Sequence, residues 1–248
     1  MVNQKFPRFL RLGDAAITIQ FGLDTTRELN QQVSAFINSL EEEINTGYLP
    51  QIIEYVPAVS SATIYFHPEC NQADLISSLK RISTKTINNH QLGLHWELPI
   101  CFDPSFLNDL TEISEQLEIN PHELQKKFCR SILQVFMIGF MPGFPFMGTI
   151  SPELSIPRKS SPRTHVPSQS VAIAGKMCGI YPWDSPGGWN LLGKMPVPLF
   201  DKNNHIRPTL LRSGDMVSWK PITLPEFEEI FNSQKSKIDW APYQIQMQ

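Results

Sequence analysis

Eight of the chain's 13 glycines lie between Gly139 and Gly193, inside a proline-rich stretch that runs from Gly139 to Phe200. Glycine opens positive φ and close backbone approach; proline fixes φ and removes a donor. So dense a mixture excludes a run of helices and predicts short strands joined by constrained turns, with many backbone N–H groups facing outward. Arg158 and Arg163 each follow a proline, Lys176 follows Gly175, and Asp184-Ser185 precede Pro186-Gly187-Gly188-Trp189. The stretch carries five Lys/Arg against two Asp/Glu. Forked guanidinium donors, rigid turns and aromatics read as exposed (Phe144, Phe146, Tyr181, Trp183, Trp189) suit a small anion or a phosphate. Turns demanded by a β-barrel for folding alone explain the same residues, and both readings stay open here.

Bulk properties narrow the function classes. The 248 residues suffice for one large or two ordinary domains, and 41% hydrophobic with 18% charged residues is a globular composition. A net charge of −3 with pI near 6.1 gives no basic footprint for nucleic acid. No apolar run approaches the roughly 18–20 residues that span a bilayer, and the N-terminus lacks the apolar core of a secretory signal. Cys70, Cys101, Cys129 and Cys178 form no CxxC pair, which predicts reduced thiols in a cytoplasmic protein. None of the six histidines pairs at HxH or HxxxH spacing, so metal ligation has no support.

Taken in order, Phe9–Phe21 reads as a hairpin turning at Gly13-Asp14. Thr25 or Thr26 opens a helix through Leu29, Val33, Phe36, Ile37 and Leu40. Strands are expected at Ile52–Val56 and Ala62–Phe66, then a helix over Asp74–Ile82. Strand, helix, strand, strand, helix is a split β-α-β pattern, so residues 1–92 are expected to be a small ferredoxin-like α/β domain, with Glu41-Glu42-Glu43 as a solvated face. The polar Asn88–Gly93 stretch is the expected boundary to residues 93–248. There, Leu94–Phe102 alternates like a strand and Phe106–Leu117 like a helix. Asn120-Pro121 caps another helix that brings in Leu124, Phe128 and Ile132. Leu133–Phe140, Val171–Ala174 and Gly179–Tyr181 read as strands. A further strand within Arg207–Trp219 turns at Ser213-Gly214-Asp215 into Met216–Trp219, and Pro225–Phe231 is a short helix. The fold class is α+β, its second domain a closed barrel.

Gly188–Lys194 matches the first seven positions of a phosphate-binding P-loop, but Met195 replaces the Ser/Thr, and Pro196 and Pro198 forbid the following helix. A Gly-Trp turn followed by a strand fits better. His165 is either a ligand contact or a surface histidine. Ser170 and Ser185 read first as turn serines, Asp184 as a turn former with general-base capacity. Cys178 reads as a buried small hydrophobe, and no GxSxG elbow exists.

Gly139-Phe140-Met141-Pro142-Gly143-Phe144, Pro157-Arg158, Pro162-Arg163-Thr164, Gly179-Ile180-Tyr181-Pro182 and Ser185-Pro186-Gly187-Gly188-Trp189, in this order, resemble the KipI family, also called allophanate hydrolase subunit 1 or PxpB, the B component of 5-oxoprolinase. The resemblance covers nearly the whole chain. It implies a ferredoxin-like domain before a cyclophilin-like β-barrel. The implied complex joins this chain to a KipA-like partner and a LamB/YcsF-like partner. It opens 5-oxoproline to glutamate with ATP and Mg²⁺, the single chain being inactive. The resemblance also implies alternatives: a histidine-kinase inhibitor, or a component of a urea- or allophanate-related amidolyase. Expected ligand contacts are Pro142, Gly143, Phe144, Arg158, Arg163, His165, Ser170, Lys176, Tyr181, Ser185, Gly187, Gly188 and Trp189, with Arg158, Arg163 and Asp184 as catalytic candidates. Against the family pattern, His165 stands for Arg, Ser168-Gln169 for Ala-Gly, Cys178 for Thr and Phe128 for His.

Overall fold

A computed structural model describes residues 5–84 and 93–245. The chain forms two compact units, Met1–Gln91 and Leu92–Gln248. The boundary expected at Asn88–Gly93 lies, apart from Gly93, outside the described residues.

In the first unit β1 (Arg8–Leu12) and β2 (Ala16–Gln20) form the expected hairpin. Thr26 caps α1 (Arg27–Asn45) by accepting the Leu29 N–H at 3.3 Å. After β3 (Ile52–Pro57) and β4 (Ser61–Phe66), Asn71 caps α2 (Gln72–Ser83) by accepting the amides of Ala73 and Asp74. The sheet runs β1-β2-β4-β3, antiparallel throughout. Period-2 positions Ile17, Ile19, Ala62 and Ile64 meet the helical stripe Val33, Phe36, Leu40, Leu75 and Leu79 in one core. The acidic run is not simply solvated. Glu41 accepts the Tyr55 hydroxyl at 2.5 Å, and burial, then this bond, pushes that phenol up to about 12. Glu43 accepts both Arg81 Nη groups, at 2.9 and 3.1 Å.

The second unit contains, in order, β5 (His95–Cys101), α3 (Leu110–Gln116), α4 (Pro121–Cys129), β6 (Leu133–Ile138), β7 (Pro145–Gly148), β8 (Arg163–Val166), β9 (Ser170–Ala174), β10 (Met177–Ile180), β11 (Ser185–Gly187), β12 (Asn190–Lys194), β13 (Met216–Ile222), α5 (Leu224–Ser236) and β14 (Gln244–Ile245). Strand order β12-β9-β10-β7-β6-β13-β5 closes on itself where β12 pairs with β5, at Lys194↔Cys101, giving a seven-stranded barrel. β14 adds to β5 beyond that closure, and β8 with β11 forms a separate two-stranded ribbon. The barrel is filled by Leu98, Ile100, Leu133, Val135, Met147, Val171, Ile173, Cys178, Ile180, Leu192 and Val217. Gly188-Trp189 is a turn entering β12, and no helix follows Lys194.

Several expectations are corrected. The helix expected from Phe106 starts at Leu110: Asp103 accepts the Ser105 amide and hydroxyl, turning the chain, and Phe106 packs instead on Phe227 at 4.7 Å. Ile132 is 57% exposed and outside the core. Residues 207–212 hold no strand, only the Phe200↔Thr209 bridge. The short helix expected at Pro225–Phe231 extends to Ser236, opened by a reciprocal Thr223–Glu226 capping box.

Candidate functional site

Arg163 opens β8, opposite Gly187 on β11. Its Nη2 donates to Asp109, which is only 6% exposed. Asp109 sits 3.4 Å from Lys159 Nζ and accepts the Leu191 amide at 2.7 Å. Lys159 also reaches Glu112 at 2.6 Å. The guanidinium of Arg163 is therefore an anchored member of a charge network centred on buried Asp109, with its Nη1 buried and unpartnered. Arg158 is exposed and forms no ion pair among the described residues. The two arginines stand around one group, the Tyr181 phenol. Burial raises that phenol's pKa, while the Trp189 amide and the charges of Arg158 and Arg163 oppose the rise. Gly187 permits this approach, because a Cβ there would strike the Tyr181 hydroxyl. A Cβ on Gly188 would lie 3.4 Å from Arg158 Nη2.

The aromatic side chains expected to be exposed are mostly not. Phe144 and Tyr181 are each 2% exposed and pack edge-on at 5.2 Å, with Val166, Ala172 and Leu191 around them. Phe146 and Trp189 pack against this cluster. Trp183 remains exposed, donating its Nε1–H to Pro142 O at 3.2 Å. Barrel closure buries rings that local sequence places at turns. The outward amides are likewise partly engaged: Phe144 N–H donates to Met141 O, and that of Trp189 reaches the Tyr181 oxygen. Gly143 takes φ +84 in the turn between.

A second polar group gathers where the barrel closes. Asp184 accepts the Ser168 amide at 2.6 Å, which with His165 and Lys194 holds its carboxyl below the usual range. His165 Nε2 lies 4.0 Å from Asp184. Lys194 ends β12 half-buried, its Nζ 5.6 Å from the Phe106 ring. Burial pulls its ammonium pKa down, and Asp184 opposes this. Lys194 forms no ion pair among the described residues. Ser170 is buried, its hydroxyl donating to Pro167 O at 2.7 Å. The Ser185 hydroxyl donates to Pro186 O. Lys176 is exposed at the tip of the β9–β10 hairpin, at the opposite end from Ser170, and does not join either group. Cys178 is fully buried and burial pushes its thiol far up, removing it as a nucleophile. Phe128 packs on Trp219 at 5.1 Å in the core.

Asp109, Lys159 and Lys194 are site residues that sequence reasoning passed over. Asn108-Asp109 ahead of Leu110 is a helix-start signal that would have singled out Asp109. Among the described residues no set of three or more His, Cys, Asp or Glu is placed to hold a metal ion, and no helix is long and apolar enough to cross a membrane.

A family model described as "Carboxyltransferase domain, subdomain C and D" matches residues 7–211. A Bacillus subtilis protein, named as the B component of 5-oxoprolinase, is 34% identical over 232 residues, 88% of this chain and 93% of that one. The crystal structure of TTHA0988 superposes with TM-score 0.70 at 31% identity and covers 84% of this chain, which spans only 40% of that longer one. The urea amidolyase of Kluyveromyces lactis shares the fold, with TM-score 0.76 over 91% of this chain and 15% of its own, at 22% identity.

Proposed function

The chain belongs to the carboxyltransferase subdomain C and D family, among the KipI-like B components of 5-oxoprolinase, and on that premise we propose that it serves as that component in an ATP-dependent 5-oxoprolinase complex. The observation that carries this reading is the near end-to-end correspondence with the Bacillus subtilis protein. We read the first unit as ferredoxin-like, its β2-α1-β3-β4-α2 core flanked by β1, and the barrel as cyclophilin-like. Four unpaired cysteines support a cytoplasmic location.

5-Oxoproline is a five-membered lactam carrying a carboxylate. Its amide is resonance-stabilised, so hydrolysis needs activation. Phosphoryl transfer from ATP to the amide oxygen makes the ring carbon electrophilic. ADP leaves; one water adds at that carbon and the C–N bond breaks as the nitrogen takes a proton, which leaves γ-glutamyl phosphate, and a second water splits this into phosphate and glutamate. Exposed Arg158 would bind a substrate carboxylate or phosphoryl oxygens as a fork. Arg163, tied to Asp109, positions the ribbon that carries Gly187 and fixes the field at Tyr181. Asp184 and Lys194 supply a base and a cation at the neighbouring barrel closure. The chain's donors do not fit Mg²⁺ unaided, because Asp109 is committed to Arg163 and Leu191 and leaves Asp184 without a second free carboxylate. ATP and its Mg²⁺ are therefore assigned to a site completed by a KipA-like and a LamB/YcsF-like partner, and the isolated chain is read as inactive.

The test is reconstitution. Co-purified with those two partners, the chain yields glutamate from 5-oxoproline only when ATP is present, and Arg158→Ala lowers the rate at least tenfold, about the worth of one charge-assisted contact. No glutamate from the three-protein mixture, while the Bacillus subtilis complex turns over in parallel, overturns the assignment. Urea in place of 5-oxoproline gives no turnover.

A further inference from the structure

α4 with Ser131-Ile132 and the stretch Thr149–Glu153 line a cleft of about 740 Å³. It shares no lining residue with the groups around Tyr181 and Asp184. Its walls carry His122, Lys126, Lys127 and Arg130 against Glu123 and Glu153. Both carboxylates are engaged by one cation: Lys127 contacts Glu153 directly and lies 3.6 Å from Glu123. Lys126, in the last turn of α4, and Arg130, its C-cap, lie four residues apart, both exposed, and neither forms an ion pair among the described residues. Two cations at this spacing repel each other, and the C-terminal end of α4, with Glu123 one turn earlier, relieves them only in part. Thr149 adds a hydroxyl group, while those of Ser131 and Ser151 already donate to Lys127 O and Glu153 Oε1, each at 3.4 Å.

We propose that this cleft is a binding site for a small oxyanion carrying at least two negative charges, of the phosphate or pyrophosphate kind. The volume lies within the range of small-ligand sites. An arginine fork beside a lysine is the pair that recognises phosphoryl oxygens, and the Thr149 hydroxyl adds a further donor. The proposal does not depend on the oxoprolinase reading, since it is read by binding without turnover.

Calorimetric titration of the full chain with pyrophosphate tests it, with inorganic phosphate, ADP and ATP as parallel arms. Saturable pyrophosphate binding is expected, weakening as NaCl is raised. Lys126→Gln/Arg130→Gln weakens it by about tenfold or more while leaving the unfolding midpoint in place. Equal affinity for pyrophosphate and ADP identifies the phosphoryl group alone as the ligand; tighter ADP or ATP binding identifies a nucleotide as its source. Should the double variant fail to fold, Lys126→Gln alone gives the same readout. Absence of binding, binding unchanged in the variants, or binding of poly-glutamate without pyrophosphate overturns the proposal.

Discussion

Lys194 is held in an environment that disfavours its own charge. Half-buried at the end of β12 beside the Phe106 ring, its ammonium has lost water, and Asp184 only partly compensates. A lysine pKa lowered by folding means that the folded state binds the proton less well than the unfolded chain does. Below the folded value both states are protonated and the burial cost is fully present; above the ordinary lysine range both are neutral and it vanishes. Lys194→Met therefore raises the denaturation midpoint near neutral pH, and the gain shrinks as pH climbs through the alkaline range towards the ordinary lysine value. Paired denaturant melts across that range check this. A gain that grows with pH, or a loss at neutral pH, contradicts it.

At the scale of elements, closure of the barrel rests on β12 reaching β5, with Lys194 opposite Cys101. Gly193 makes the approach feasible, since a Cβ there would lie 2.5 Å from Cys101 O. Gly193→Ala must push the strands apart and is expected to cost about 1–3 kcal/mol, measured as a lower denaturant midpoint at unchanged m-value. An alanine variant as stable as the parent would show that β12 and β5 are not held by this contact. Elements with local signals were legible in the sequence. Asn120-Pro121 caps α4 as its residue types require, and the stripe of Leu75, Leu79 and Ile82 marks α2. Elements decided at long range were not. Phe106 falls on a helical stripe with Leu110 and Ile113, yet its partner is Phe227 on α5, more than a hundred residues later. Phe144 and Tyr181 sit among turn formers, so they read as exposed, and only the packing of β10 against the β6–β7 turn buries them. In the candidate site the arginines were visible because each follows a proline. Asp109 carries a local helix-start signal, but its partners Arg163 and Leu191 are distant in sequence and meet it only after closure, so its role was not legible.

On the scale of the whole molecule, each unit carries its own means of stability. The first packs its sheet on α1 and α2 through Ile19, Ile64, Leu40 and Leu79, all with no exposure. The second closes seven strands, so its barrel leaves no long open edge in need of a neighbour, and its core reaches from Trp96 to Trp240. Asp215, buried at 3%, ties the start of β5 to β13 by accepting the Leu94 amide and the Trp96 indole N–H at 2.8 and 2.9 Å. A domain of roughly 150 residues buries about two-thirds of its unfolded surface, enough for independent folding. Residues 93–248 expressed alone are therefore expected to give a β-rich circular dichroism spectrum and one cooperative unfolding transition. If the complex assembles through the barrel, this fragment also captures the KipA-like partner, while residues 1–92 do not. A fragment that is soluble but melts without cooperativity would mean that the barrel core is incomplete without the first unit, and the placing of Arg158, Asp184 and Lys194 on a barrel that folds by itself would fall with it.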